Sequence, residues 1–260
     1  MAISLADLKR VRSTLPPRIL IYGVAGIGKT SLAADFPNCV FLQTEEGAPS
    51  NIEIDTFGHL SSYQAVIEAL GTLYGEDHDF STLVLDSLDA LEPLIWAETC
   101  ARNSWRNIEE PGYGKGYLAA DAIWREFIDG CNALRRERSM TVIWLAHSAV
   151  ERFDQPGSQP YNRYDLRLQK RGSAIVTDEA DAVLFMNTKV SVKETDAGFN
   201  KKNVHAEGGG SRWLFADGRP AFIAKNRFGM PDSLLIQPGK GYEAIAKYLP
   251  AHAVQQDQAA

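Results

Sequence analysis

Eight consecutive residues have the types and the spacing of a phosphate-binding loop. They fit the pattern G-x-x-x-x-G-K-[ST] at every position and run Gly23, Val24, Ala25, Gly26, Ile27, Gly28, Lys29, Thr30. The glycines of such a loop let backbone N–H groups turn toward phosphate oxygens, and its lysine reaches the β- and γ-phosphates. The hydroxyl of its threonine binds Mg²⁺. We therefore predict that these residues and Ser31 bind ATP with Mg²⁺, with Lys29 contributing to catalysis and Thr30 as a metal ligand.

Carboxylates farther along the chain are candidates for binding the metal ion and for activating the attacking water. Asp86 ends the apolar string Thr82–Leu85, and a phosphate-loop protein needs a second metal-side carboxylate at the end of a neighbouring strand. An aspartate in this place is also typical of a turn, and either Asp86 or Asp89 would serve as a helix N-cap. Glu45 and Glu46 come soon after the apolar string Cys39–Leu42, where a carboxylate would orient or activate water. The alternative for this pair is two solvated loop acids.

A histidine follows another apolar string. His147 comes directly after Thr141–Ala146, and a polar side chain at such a strand end would sense the γ-phosphate. We therefore assign His147 to the cofactor site, with a hydrogen-bonded structural histidine as the alternative.

The spacing of apolar residues indicates an α/β protein with a doubly wound, mostly parallel sheet. Five strings have the length and composition of strands buried on both faces; they are Arg18–Tyr22, Cys39–Leu42, Thr82–Leu85, Thr141–Ala146 and Ala182–Met186. Between them lie helix-like stretches at Lys29–Asp35, Ser62–Tyr74, Ala90–Asn103 and Leu118–Glu137. The C-terminal third instead predicts antiparallel strands that extend this sheet at its C-terminal edge. These are Lys189–Glu194, Arg212–Phe215 and Ala221–Ala224, the last two joined by a hairpin turn at Asp217-Gly218.

The composition argues against a membrane-spanning protein and against a disulfide-rich one. Of the 260 residues, 45% are hydrophobic and 23% charged, and the formal net charge is −6. No apolar run approaches the roughly 20 residues that a membrane span needs, and three widely spaced cysteines form neither a disulfide framework nor a zinc site. We expect a cytoplasmic protein with no membrane partner. We divide it into an N-terminal segment (1–15), one ATPase core (16–250) and a disordered tail (251–260).

A basic segment with aromatic residues has the composition of a binding site for single-stranded DNA. We predict that Phe153–Arg171 is a long mobile loop, because it is polar, rich in turn residues and without clear period. Cations for phosphates and aromatic faces for bases are what single-strand binding uses, and the alternative is a solvated surface loop. The candidate DNA contacts are Arg163, Arg167, Lys170, Arg171, Tyr161 and Tyr164. A second glycine-rich loop, Glu109–Gly116, is a weaker candidate.

The string Lys225-Asn226-Arg227-Phe228-Gly229 resembles the KNRFG motif of the bacterial RadA recombination ATPases, which have a RecA core and act on DNA. The order of phosphate loop, Glu45, Asp86 and His147 is similar to that core. The chain as a whole, over roughly residues 16–250, resembles phage-encoded RecA-core ATP-binding proteins, some of which anneal single strands.

This resemblance implies roles that the residues alone do not give. It implies a RecA-like core and favours Glu45 over Glu46 as the catalytic glutamate. Lys225 and Arg227 would act in trans on the γ-phosphate of a neighbouring subunit, within a homo-oligomeric ring or filament. The implied partners are single-stranded DNA and a single-strand binding protein, in a bacterial or phage-infected cell.

Three other functions compete with recombination or annealing. One is a ring motor ATPase of the helicase or packaging type, and the sequence scarcely separates it from the first. Another is a P-loop kinase of a small metabolite, although the chain has no arginine-rich lid. The last is a nucleotide-binding scaffold with little turnover.

Overall fold

The computed structural model describes residues 15–47, 50–154, 159–196 and 202–250, with side chains described outside 190–196 and 202–209. The predicted tail and nearly all of the predicted N-terminal segment lie outside these ranges. The strands are β1 (Arg18–Gly23), β2 (Cys39–Gln43), β3 (Asp55–His59), β4 (Thr82–Asp86), β5 (Thr141–Phe153), β6 (Tyr161–Leu166), β7 (Ala182–Asp196), β8 (Lys202–Phe215), β9 (Lys225–Asn226) and β10 (Ser233–Ile236). The helices are α1 (Lys29–Ala34), α2 (Tyr63–Gly75), α3 (Leu88–Asn103), α4 (Lys115–Glu137), α5 (Lys170–Glu179) and α6 (Gly241–Ala246).

One sheet runs through the molecule in the order β10-β8-β7-β1-β5-β4-β2-β3, with β6 paired to β5 and β9 paired to β7. The strands from β7 to β3 in this order are parallel to their neighbours. The pairs β7–β8 and β8–β10 are antiparallel. The predicted fold class, a mostly parallel α/β sheet extended by antiparallel strands, is therefore confirmed.

Helices cover both faces of the sheet, which explains the continuous apolar strings. Successive side chains of a strand point to opposite faces, so Leu20 and Tyr22 pack under α2, α3, α4 and α5. Ile19 and Ile21 pack on the other side against α1 and α6. Because all four side chains are fully buried, β1 lies at the centre of the core and delivers the residues that follow it to a fixed place.

The C-terminal strands differ from the prediction in two places. The segment 189–194 is the continuation of β7 rather than a separate strand, and 212–215 pairs with β7 on one side and β10 on the other. The predicted strand Ala221–Ala224 was wrong, because this segment makes only isolated bridges at Phe222. Side-chain contacts hold it instead: the Tyr22 hydroxyl donates to the Ile223 carbonyl at 2.7 Å and accepts from the Ile223 N–H at 3.0 Å.

The predicted mobile loop at 153–171 was wrong where β6 and the beginning of α5 form. Strand β5 extends to Phe153 and pairs antiparallel with β6, and α5 begins at Lys170; residues 155–158 lie outside the described ranges. Aromatic contacts favour this hairpin. The Phe153 and Tyr161 rings meet edge to face at 5.5 Å, and the Arg163 guanidinium lies 3.8 Å from the centre of the Phe153 ring.

A buried aspartate ties the amino ends of β1 and β7 to the carboxyl end of α4. Asp181, with a side chain 10% exposed, accepts hydrogen bonds from the backbone N–H of Arg18 at 3.1 Å and from the Arg18 guanidinium at 3.2 and 3.3 Å. It also pairs with Arg135 of α4 at 3.3 Å and with Arg227 at 3.0 Å. Burial alone would raise the pKa of Asp181, but the bonds from Arg18 and the charges of Arg18 and Arg135 lower it.

We expect Asp181→Asn to destabilise the protein by about 3–5 kcal/mol, because it leaves buried guanidinium groups without their anion. Urea unfolding at neutral pH measures this loss. Since the pKa of Asp181 is lowered by folding, its contribution is present above its ordinary pKa and disappears as pH falls through the lowered value. Asp232→Asn is the control, since the Asp232 side chain is 67% exposed. Equal stability of the two variants would contradict the structural role of Asp181.

Candidate functional site

The parallel register brings the predicted chemical groups to one edge of the sheet. Gly23, the first residue of the phosphate loop, is the Cα partner of His147 on β5. Asp86 is the partner of Gln43 on β2 and of Leu145 on β5. The residues at the carboxyl ends of β1, β2 and β4 therefore meet His147 of β5 at this edge, which we call the carboxyl edge.

Two glycines of the phosphate loop sit where a side chain has no room. A Cβ on Gly23 would lie 2.2 Å from the backbone oxygen of Met186. Gly28 has φ of +102°, and a Cβ there would lie 2.5 Å from the Arg212 guanidinium. The ammonium of Lys29, a residue only 6% exposed, donates to the carbonyls of Gly23 and Val24 at 3.2 Å each. The loop is thus tightly packed around a buried lysine.

The two predicted metal ligands are in direct contact. The Thr30 hydroxyl donates to a carboxylate oxygen of Asp86 at 2.7 Å. A hydroxyl and a carboxylate on adjacent elements form a suitable oxygen donor set for Mg²⁺, which binds through few protein ligands and substrate phosphates. Burial raises the pKa of Asp86, and the Thr30 hydrogen bond opposes this rise. A cation at this place would relieve the cost of the buried carboxylate.

Neighbouring backbone fixes the position of Glu45. The N–H of Thr44 donates to the Asp86 carbonyl at 2.9 Å. The Thr44 hydroxyl donates to the Ser87 carbonyl at 2.8 Å and accepts from the Ser87 N–H at 3.0 Å, and the Asp86–Ser87 peptide bond is cis. Glu45 is therefore held beside the metal-side aspartate and is half-buried, whereas Glu46 is exposed. This difference favours Glu45 for chemistry at the carboxyl edge.

A carboxylate that sequence reasoning passed over organises the group around His147. Asp89 accepts from the His147 backbone N–H at 2.7 Å, lies 2.9 Å from His147 Nδ1 and pairs with Arg167 at 2.5 Å. Burial alone would raise the pKa of Asp89, but these hydrogen bonds hold it well below its ordinary value. Ligand atoms of Glu45, Asp89 and His147 all lie within 4.8 Å of one another. The sequence offered only a signal for a helix cap here.

Charged groups of the carboxyl edge act in opposite directions on the pKa of Lys29. Burial lowers the pKa of Lys29, while the charges of Asp86, Asp89 and Glu45 raise it and that of Arg167 lowers it. Several carboxylates thus face one buried ammonium at the carboxyl edge.

A cavity of about 380 Å³ adjoins the phosphate loop. Gly28, Ser31 and Arg212 line it together with the loop that contains Pro238. Arg212, also unnoticed in the sequence, makes no hydrogen bond or ion pair with the residues that the structure describes. Its strand lies far from the loop in sequence, so only the fold reveals this cation.

Lys225 and Arg227 lie away from the carboxyl edge. Lys225 is the partner of Val183, at the start of β7, roughly 10 Å of strand from the residue beside Gly23. Its ammonium donates to the carbonyls of Thr177 and Asp178 at 2.9 Å each, and Arg227 pairs with Asp181. The structure therefore does not bring this pair to the phosphate loop of its own chain.

The predicted DNA-binding residues separate into distinct environments. Arg163 pairs with Asp165 at 2.7 Å, Arg171 pairs with Asp121, and Lys170 is exposed. Tyr161 packs against Phe153, and the partly buried Tyr164 ring lies 5.1 Å from Phe185 in the core. Arg163 and Lys170 line a cleft of about 920 Å³ between the β5–β6 hairpin and α5. Arg167 belongs instead to the group around His147.

Glu92 on α3 holds the start of α5. Its carboxylate, in a residue 5% exposed, accepts from the Gln169 N–H at 3.0 and 3.2 Å. A Cβ on Gly172 would lie 2.7 Å from the same carboxylate, so the helix packs closely on it. Burial raises the pKa of Glu92 to about 7.

We expect Glu92→Gln to remove a pH dependence of stability. The native carboxyl keeps its proton up to about pH 7, whereas the unfolded one loses it near pH 4.3. The wild-type free energy of unfolding therefore falls, relative to that of the variant, as pH rises between these values. Urea unfolding at several pH values checks this, with Glu98→Gln on the same helix as control. Parallel pH profiles of wild type and Glu92→Gln would contradict the assignment.

Comparison with known proteins places the chain in a family. No helix in the described ranges has the length and apolar character to cross a bilayer, and no curated protein matches the sequence significantly. The crystal structure of the RadB recombinase is similar, with a TM-score of 0.47 and 14% identity, over 86% of this chain and 90% of that one. Residues 15–228 match the AAA_24 family of AAA domains. The match covers most of the sequence, and the chain therefore belongs to this AAA domain family of P-loop ATPases.

Proposed function

We propose that the protein is a Mg-ATP-dependent ATPase that acts on single-stranded DNA in recombination or strand annealing, as a homo-oligomer. The course of strand β5 is the observation that best supports this proposal. β5 passes His147 at the carboxyl edge and continues to Phe153 in the hairpin with β6. The strand therefore connects the nucleotide site with the cleft between this hairpin and α5.

The carboxyl edge supplies the groups that ATP hydrolysis requires. Lys29 and the phosphate-loop N–H groups bind the phosphates, and Thr30 with Asp86 would hold Mg²⁺, which neutralises developing charge on the phosphates. Glu45 is the carboxylate available to accept a proton from the attacking water. His147 lies beside Gly23, where its side chain senses the γ-phosphate. The cavity lined by Ser31 and Arg212 has space for the rest of the nucleotide.

The cleft between the hairpin and α5 is the proposed DNA site. Arg152, Arg163 and Lys170 line it, and they supply cations for phosphates. Tyr161 is the stacking candidate at the hairpin. Tyr164 supports the hairpin, because its ring packs toward Phe185 in the core.

The trans role of Lys225 and Arg227 gives the reason for an oligomer. Both cations lie at the amino end of β7, away from their own phosphate loop. They would meet a nucleotide only when a neighbouring subunit presents its carboxyl edge to them. A ring or a filament of this chain provides that arrangement.

We expect Glu45→Gln to bind ATP normally and to lose most of its hydrolysis, because a neutral amide cannot accept the water's proton. The loss is expected to be about 10²–10⁴-fold in kcat, the usual contribution of a general base. Phosphate release and equilibrium nucleotide binding are the measurements. The matched control is Glu46→Gln at the adjacent exposed residue. An inactive Glu46→Gln beside an active Glu45→Gln would show that the other glutamate is catalytic.

For the DNA site, we expect the combined change of Arg152, Arg163 and Lys170 to Ala to weaken binding of a single-stranded oligonucleotide without changing ATP affinity. Each lost phosphate contact lowers the slope of log affinity against log salt by about 0.7, so three flatten it by roughly 2. A salt titration by fluorescence anisotropy measures this slope.

A charge-matched control changes Arg125, Arg136 and Arg219, which are exposed and do not line the cleft. The proposal fails if the control and the cleft variant give the same slope. In that case a P-loop kinase or a nucleotide-binding scaffold becomes the better interpretation.

A further inference from the structure

We propose that Arg167 is a second cation of the nucleotide site, supplied by the subunit that carries the phosphate loop, and that it contacts the γ-phosphate. This inference rests on the proposed nucleotide site and deepens it. It also removes Arg167 from the DNA-binding set. The starting observation is that the Arg167 guanidinium joins the group of Glu45, Asp89 and His147 at the carboxyl edge.

Backbone pairing places Arg167 close to the phosphate loop. Its N–H donates to the His147 carbonyl at 2.9 Å. His147 is in turn the strand partner of Gly23, and neighbouring strands lie about 4.8 Å apart. Main-chain hydrogen bonds therefore fix the Arg167 backbone next to His147, which is itself next to the first residue of the phosphate loop.

A buried carboxylate aims the side chain. Nη2 of Arg167 lies 2.5 Å from Asp89 Oδ2 and 3.2 Å from His147 Nδ1. The side chain of Asp89 is 3% exposed, whereas that of Arg167 is 57% exposed. Asp89 thus holds the Nη2 atom of Arg167 from the buried side, while much of the Arg167 side chain stays exposed to solvent.

The donors that remain suit a phosphate. A guanidinium has five N–H donors in a rigid fork that matches phosphate oxygens. Within the described ranges, the Nε and Nη1 donors of Arg167 make no hydrogen bond. They are available to a ligand without breaking the contact with Asp89.

The excess of negative charge at the carboxyl edge also favours Arg167 as a second cation there. The negative charges of Asp86, Glu45 and Asp89 act on the buried ammonium of Lys29, and the γ-phosphate brings further negative charge. Arg163 and Arg171 pair with carboxylates elsewhere, so among the basic residues of 160–173 only Arg167 joins this cluster. Asp89 is a positioning residue in this account, because it acts through Arg167 and His147.

Nucleotide affinity provides the first test. We expect Arg167→Ala to weaken a non-hydrolysable ATP analogue about tenfold to a hundredfold, the range for a charge-assisted hydrogen bond, and to change ADP affinity less than twofold. Arg167→Lys should recover part of the loss. Arg219→Ala is the control, because Arg219 has a similar side-chain exposure of 55% and its own carboxylate partner, Asp232. Calorimetry with Mg²⁺ and each nucleotide measures the ratio.

Each other outcome counts against the proposal in a distinct way. Equal loss of ATP-analogue and ADP affinity would make Arg167 a structural residue. Unchanged nucleotide affinity with weaker oligonucleotide binding would return it to the DNA site. Failure of the nucleotide site itself would appear separately, as Lys29→Ala protein that is folded and binds ATP normally.

A mixing experiment tests whether Arg167 acts within its own subunit. Arg167→Ala and Glu45→Gln proteins, mixed into the same oligomers, should stay inactive, because every phosphate loop then lacks one of the two groups. Lys225→Ala mixed with Glu45→Gln should regain activity, since that cation comes from the neighbour. Activity restored in the Arg167→Ala mixture would overturn action in cis. If only the Lys225→Ala mixture failed, the trans role of Lys225 would be wrong while the affinity ratio still tested Arg167.

Discussion

The parallel register of β1 with β5, and of β4 with both β2 and β5, is the constraint on which the site depends. It sets Gly23 beside His147 and Asp86 beside Gln43. No short-range preference brings these residues together, since they come from distant parts of the chain. Close packing on both faces opposes a slip of one residue, because the slip would exchange the side chains of the two faces, which are fitted against different helices. The precision of the site therefore comes from the core.

Two buried aspartates organise the opposite ends of this sheet. At the carboxyl edge, Asp89 holds His147 and Arg167 through short hydrogen bonds. At the amino end, Asp181 holds Arg18, Arg135 and Arg227. We propose that the first cluster contacts the nucleotide of its own subunit and that Arg227 of the second contacts that of a neighbour. On this proposal the two ends of one sheet have complementary roles.

Some of the fold and of the candidate site could be predicted from the sequence, and some could not. The phosphate loop and Asp86 were predictable because consecutive residues and a buried strand carry their signal. Asp89 was not, because its role arises from His147 and Arg167, which are 58 and 78 residues away in the chain. The hairpin of β5 and β6 was missed because its pattern is polar and its stability comes from contacts such as Phe153 with Tyr161. Tyr164 had the composition of a stacking residue, but the fold turns its ring toward Phe185.

A crystal structure of the protein with Mg²⁺, ADP and aluminium fluoride tests the central claim most directly, because the fluoride group marks the position of the transferred phosphoryl. The account predicts this group between the Lys29 ammonium and the Glu45 carboxylate, with Mg²⁺ bound by the Thr30 hydroxyl on the side of Asp86. It also predicts His147 and Arg167 of the same subunit facing the fluorides. A fluoride group turned away from Glu45, with these side chains unengaged, would contradict the account.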